Sequence, residues 1–273
     1  MTCGSVLVVG DSTTDEYMHE LRTLLSNLGV GHVYIAHSAS DGECGSSFGL
    51  ASCIEPYLQY HWSVIVLGWA HRDIKPNSYG VVTVSEYRNN LWETYTSLKG
   101  SLAPGGSMVF MTAVPVGASY QQRDNDDAKE LNEEALQLFE NEDMTIVNHY
   151  DRIVETCRRD PGLSCYPETC DCARLQSDGV HGTSEGRWHK AVAVADAIVA
   201  TPDSINMCSE ALGAKIVAAE AAAAEAVDVM LATSWVRILA VGPAKSIICA
   251  AARDDEVGNR ESAKSRISAT RNS

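Results

Sequence analysis

The 273-residue chain contains no stretch of eighteen uncharged apolar residues: the longest candidate, Ile216 to Val241, is broken by Glu220, Glu225, Asp228 and Arg237. That pattern excludes a membrane-spanning helix. Basic side chains are scarce, 21 against 36 acidic ones, for a formal charge of −15. Such a surface repels phosphate backbones and anionic bilayers at long range, so nucleic acid is not an expected partner. Prolines are few as well, and 45% hydrophobic with 21% charged residues is the balance of a globular protein, not of a disordered or fibrous one.

Several motifs are also missing. No basic region followed by a long apolar segment and a small-residue cleavage site follows Met1, so the expectation is a cytoplasmic location. His37, Glu43, Asp73 and His149 carry no HExxH or comparable metal spacing, and no GxxxxGK(S/T) loop is present. No metal, nucleotide or other cofactor is therefore expected. The nine cysteines form no paired CxxC module. Cys165, Cys170 and Cys172 cluster, with Cys157 nearby, as a loop disulfide pair or a soft metal site would; the expectation is free thiols, mostly buried.

What is present is an alternation of short apolar β-rich runs with longer amphipathic ones. Strands are predicted at Ser5–Val9, Val30–Ala36, Val64–Leu67, Ser107–Thr112 and Thr145–Asn148. Helices are predicted at Asp15–Leu28, Ser47–Tyr60, Ser85–Leu98, Asp126–Glu140 and Ser184–Ala200. Strands alternating with crossover helices specify a doubly wound α/β sandwich on a central parallel sheet, here residues 1–202. Beyond Pro202 the composition shifts. An alanine-rich accessory helical segment is expected over 203–252, as a lid or an oligomerisation arm, followed by a disordered polar tail over 253–273. The oligomeric state is not set by these features.

Ligands in such sheets collect beyond the carboxyl ends of the strands. Directly after the first strand stands Gly10-Asp11-Ser12. A serine hydroxyl becomes a nucleophile when a base takes its proton and a carboxylate orients that base. Ser12 stands in a tight turn before a helix whose N-terminal dipoles favour negative charge; alternatively, Ser12 or Thr13 simply caps that helix. Near the end of the domain, Asp178-Gly179-Val180-His181 places a carboxylate three residues before an imidazole. One loop can then supply both partners, although Asp178 as a turn residue and His181 as a surface histidine is the alternative reading.

The GDS turn and the DxxH run together resemble the first and last signature blocks of the SGNH (GDSL-like) hydrolases, over roughly residues 5 to 200. The resemblance implies a flavodoxin-like three-layer α/β/α fold. It also implies a catalytic triad in which Ser12 attacks an acyl carbonyl, His181 is general base then acid, and Asp178 orients it. The family's oxyanion hole combines the serine N–H, the N–H of a glycine after the second strand and an asparagine side chain after the third. Gly42, in Ser40-Asp41-Gly42-Glu43, matches the glycine. The asparagine is absent: Gly68-Trp69-Ala70-His71-Arg72-Asp73 places Ala70 there by direct register, or Arg72 with a two-residue insertion. Losing one such donor costs about 100- to 1000-fold in turnover, and His71 or Arg72 is the candidate replacement. The expected function is a serine esterase acting on an acetyl or short-acyl ester of a small molecule or glycan. O-acyl transfer, or a degenerate fold kept for binding, are the alternatives.

Overall fold

The computed structural model describes residues 5–28, 32–35, 53–74, 82–120 and 123–201. The segments expected over 203–252 and 253–273 lie outside the described residues, as does Gly42.

Five strands form one parallel sheet: β1 (Ser5–Gly10), β2 (His32–Ile35), β3 (Trp62–Gly68), β4 (Leu102–Met111) and β5 (Met144–Val147), in the order β2-β1-β3-β4-β5. Register runs Val6 opposite Val64, Ile65 opposite Met108 and Phe110 opposite Ile146. Successive side chains of a strand point to opposite faces, and both faces are apolar. On one, Val6, Val8, Val64, Val66, Val109 and Met111 pack against Met18, Leu21 and Leu25 of α2 (Met18–Asn27) and Ala191, Val194 and Ile198 of α6 (Ser184–Ala200). On the other, Leu7, Val9, Ile65, Leu67 and Phe110 meet α3 (Val84–Lys99), α4 (Asn125–Phe139) and α5 (His149–Arg158) through Tyr87, Leu91, Leu131, Phe139 and Ile153. Strands covered on both faces read as continuous apolar runs, as Val6-Leu7-Val8-Val9 does. The three-layer α/β/α expectation holds.

Boundaries moved where local chemistry intervened. The helix expected over 15–28 is two pieces: Asp11 caps α1 (Ser12–Asp15), and α2 starts at Met18 after a turn at Glu16 and Tyr17. In the span expected as a helix over 47–60, residues 47–52 lie outside the described set and Glu55–Tyr57 is a single 3-10 turn. Strand β4 begins five residues early, at Leu102, bridging Trp62 before a register shift. Helix α5 was not foreseen. Its Asn148 cap accepts from the Asp151 N–H at 3.0 Å, directly after β5 with no linker.

The thiol expectation is corrected. Cys157 is bonded to Cys172 and Cys165 to Cys170. The segment between α5 and α6 is built from successive turns with one short 3-10 turn; Cys157–Cys172 staples it to the end of α5 and Cys165–Cys170 closes a loop within it.

Candidate active site

Three strand ends and the loop before α6 build the site. At the end of β1, Asp11 turns the chain: its Oδ1 accepts from the Thr13 N–H at 2.9 Å and the Thr13 hydroxyl at 2.6 Å. Its Oδ2 accepts from the His71 N–H at 3.2 Å, linking the ends of β1 and β3. Burial opposes the charge on Asp11, but His71, the Thr13 donors and Arg123 outweigh it and hold its pKa below the usual value. This polar framework leaves Ser12 at the first position of α1. A side chain on Gly10 would run into Thr14, so the turn requires glycine there.

The second component is the loop from Ser177 to Gly182. Asp178 Oδ1 accepts from the N–H groups of Val180 at 2.9 Å and His181 at 2.7 Å, forming a tight turn that needs Gly179 at φ +88°. The Ser177 N–H donates to the His181 carbonyl at 2.8 Å, and the Gly179 carbonyl accepts from Gly117 at 2.7 Å. Below it, Gln176 donates to the Pro115 carbonyl at 2.8 Å. Thr183 then caps α6, its hydroxyl accepting from the Gly186 N–H at 3.1 Å.

Ser12, Asp178 and His181 are brought together across 166 or more positions of sequence. His181 Nδ1 lies 2.7 Å from Asp178 Oδ2, and His181 Nε2 lies 3.2 Å from Ser12 Oγ. The carboxylate therefore fixes the proton on Nδ1 and leaves Nε2 as the acceptor facing the hydroxyl. Burial raises the Asp178 pKa, but the His181 ring and the two backbone N–H groups more than reverse that, so its carboxyl stays ionised below the usual range. Both alternatives raised from sequence, a turn-only Asp178 and a surface His181, are incomplete: Asp178 does shape its turn, and it also grips the imidazole.

The third-block candidates divide. The His71 backbone N–H is committed to Asp11, and its ring is buried with neither nitrogen hydrogen-bonded. Burial, the largest influence, pushes its pKa down to about 3 despite the attraction of Asp11, so it is a neutral imidazole. Arg72 is half-buried and has a partner of its own. Sequence reading missed Arg123, whose guanidinium lies 5.3 Å over the Tyr120 ring with Nε and Nη1 buried and unpaired. Tyr120 packs on Gly179, and the charges of Asp11 and Asp178 both act on Arg123. No pattern at 120–123 marks it. Among the described residues, no three His, Cys, Asp or Glu side chains gather as a metal site.

No family model and no curated protein matches the chain. Solved structures do. An acetylxylan esterase from Geobacillus stearothermophilus, Axe2, superposes with a TM-score of 0.55 at 16% identity, covering 76% of this chain and 100% of that one. A GDSL-like lipase from Bacteroides thetaiotaomicron gives 0.52 at 15% identity over 71% and 87%. A lipase/acylhydrolase from Enterococcus faecalis gives 0.51 at 15% over 71% and 94%. The chain thus has the three-layer α/β fold of GDSL-like lipases, acylhydrolases and acetyl xylan esterases, the fold of the SGNH hydrolases.

Proposed function

We propose that the chain is a serine ester hydrolase working through an acyl-serine intermediate, with Ser12 as nucleophile, His181 as proton carrier and Asp178 as its orienting carboxylate. One observation carries this reading: the continuous line from Asp178 Oδ2 through both His181 nitrogens to Ser12 Oγ, at 2.7 and 3.2 Å, beyond the carboxyl ends of the strands. A helix cap needs no imidazole, so capping does not account for it.

As His181 Nε2 removes its proton, Ser12 Oγ bonds to the acyl carbon, and the carbonyl electrons move to oxygen. Collapse of that tetrahedral adduct breaks the bond to the alcohol, which leaves with the proton from Nε2. Water repeats the sequence in reverse, releasing the acid and restoring Ser12. Asp178, held ionised, stabilises the imidazolium in both halves. The negative oxygen is assigned to the N–H of Ser12 at the α1 N-terminus and, by the family resemblance, to Gly42. The third donor is carried over by position after β3 as His71 or Arg72; the His71 ring is neutral and unpaired, but both its nitrogens are buried.

For the substrate we propose an acetyl or short-acyl ester on a carbohydrate-like alcohol, supported by the likeness to Axe2. The cytoplasmic location expected from the missing signal sequence is opposed by the two disulfides, which favour an oxidising compartment. The test is turnover of a chromogenic acetyl ester by wild type, Ser12→Ala and His71→Ala. Loss with Ser12→Ala of roughly 10⁴-fold or more is expected, and a fall of about 100-fold with His71→Ala assigns the third donor to His71 rather than Arg72. Full activity in Ser12→Ala contradicts the reading.

A further inference from the structure

Beside the triad, Gly182 is held from two sides. Its N–H donates to Glu16 Oε2 at 2.7 Å, and its carbonyl accepts from Arg187 Nη1 at 3.4 Å. The other Glu16 oxygen pairs with Lys190, whose side chain is 1% exposed against 12% for Glu16. Arg187 Nε in turn reaches Glu20 Oε1 at 3.2 Å. Glu16 and Glu20, four residues apart, thus face Arg187 and Lys190, three apart on α6, in a charged seam between neighbouring helices.

We propose that this seam, and Glu16 with Lys190 above all, is a positioning device that sets His181 over Ser12. Asp178 cannot do this alone. It belongs to the same loop as His181 and orients the ring without fixing the loop relative to the nucleophile. The bonds from Gly179 to Gly117 and from Gln176 to Pro115 tie the loop to the segment after β4, not to the Ser12 turn. Glu16 follows Ser12 by four positions, and Gly182 follows His181 by one. Their hydrogen bond closes a short ring whose other side is the 3.2 Å contact between Ser12 Oγ and His181 Nε2.

A buried ion pair is a poor route to stability, since an apolar pair of equal volume does as well or better. A carboxylate supplies what an apolar side chain lacks, a directional acceptor for the Gly182 N–H, and Lys190 holds that carboxylate in one orientation. Glu16 and Lys190 touch no reacting atom, so they are positioning residues. A displacement of about 1 Å at a nucleophile–base pair is enough for roughly a 100-fold loss.

The role rests on Ser12 as the nucleophile; the bond itself is tested separately. Two double variants differ only in the acceptor: Glu16→Leu with Lys190→Met, and Glu16→Gln with Lys190→Met. The first is expected to lose about 100-fold in kcat with KM little changed, and to lose hydrogen-exchange protection at the Gly182 amide. The second, which keeps an oxygen for that amide, is expected to recover most of both. Equal kcat in the two doubles, or equal Gly182 protection in both and in wild type, overturns the proposal. If the leucine variant does not fold, Glu16→Asp shortens the reach to Gly182 while keeping the charge. It is expected to lower kcat at nearly unchanged Tm, and wild-type kcat overturns the proposal. If wild type neither hydrolyses esters nor reacts at Ser12, the proposed function fails, and the exchange comparison still decides the bond.

Discussion

Asp178 and His181 divide the work on one loop: two backbone N–H groups and the imidazole share one carboxylate, so the residue that shapes the turn also selects the tautomer. Asp178→Asn keeps the shape and reverses the preference for the proton on Nδ1. Turnover should fall about 10⁴-fold with little change in Tm, and ester turnover beside a thermal melt checks both. His149 illustrates a different residue-scale effect. It is buried with Nε2 unpaired, and burial pushes its pKa from the usual 6.5 down to about 3, as it does for His71. A folded pKa below the unfolded one means that the unfolded chain binds the proton first. The stability these neutral rings permit is complete above pH 6.5 and is lost as pH falls toward 3, by up to about 1.4 kcal/mol per pH unit for each ring. Melts from pH 7 to pH 4 should show this decline, with a shallower slope in His149→Gln.

Among elements, α6 is the most demanding, because its first turn is pressed against the chain that leads into the loop bearing Asp178 and His181. A side chain on Gly186 would lie 1.9 Å from the Leu175 carbonyl oxygen. Gly186→Ala should therefore cost about 1–3 kcal/mol and lower turnover, since Leu175 and Gln176 frame the loop; a Tm fall without loss of activity contradicts this. Thr83→Ala is the contrasting change. It removes a capping box in which Thr83 and Glu86 exchange bonds of 2.8 and 3.2 Å at an exposed helix end, and should lower stability by about 1 kcal/mol while changing turnover less than Gly186→Ala does. These elements also explain what was legible. The spacing of Tyr87, Leu91, Tyr95 and Leu98, and the uninterrupted valines of β1, identify a helix and a doubly covered strand without further information. Helix α5 was missed although His149, Ile153, Val154 and Cys157 recur at helical spacing, because it is short and follows β5 with only the Asn148 cap between; the break before α2 was not visible because the apolar period runs on through Tyr17 and Met18. Ser12, Asp178 and His181 were legible because short runs carry them. Glu16 and Lys190 were not, because their pairing spans the fold and no local pattern encodes it, and Arg123 was not, because the acidic groups that act on it, Asp11 and Asp178, are distant in sequence.

At the scale of the whole molecule, two well-covered sheet faces support one segment of turns, residues 159–183, which carries two of the three residues of the proposed triad, Asp178 and His181. The Cys157–Cys172 bond spans 15 positions and ties that segment to α5. Arg158, which grips Glu168 at 2.8 Å and the Tyr166 carbonyl at 2.6 Å, adds a noncovalent tie. Replacing Cys157 and Cys172 together by alanine should cost about 2–4 kcal/mol and lower turnover, because the loop loses its anchor; retained Tm and activity contradict that dependence. The fold, the loop and the charged seam converge on one serine. The most direct test treats purified wild type and Ser12→Ala with a fluorophosphonate and locates the adduct by peptide mass spectrometry. The account predicts one adduct, on Ser12, absent from the variant and formed more slowly in Asp178→Asn; a folded wild-type protein that forms no adduct, or forms it equally in Ser12→Ala, contradicts the central claim.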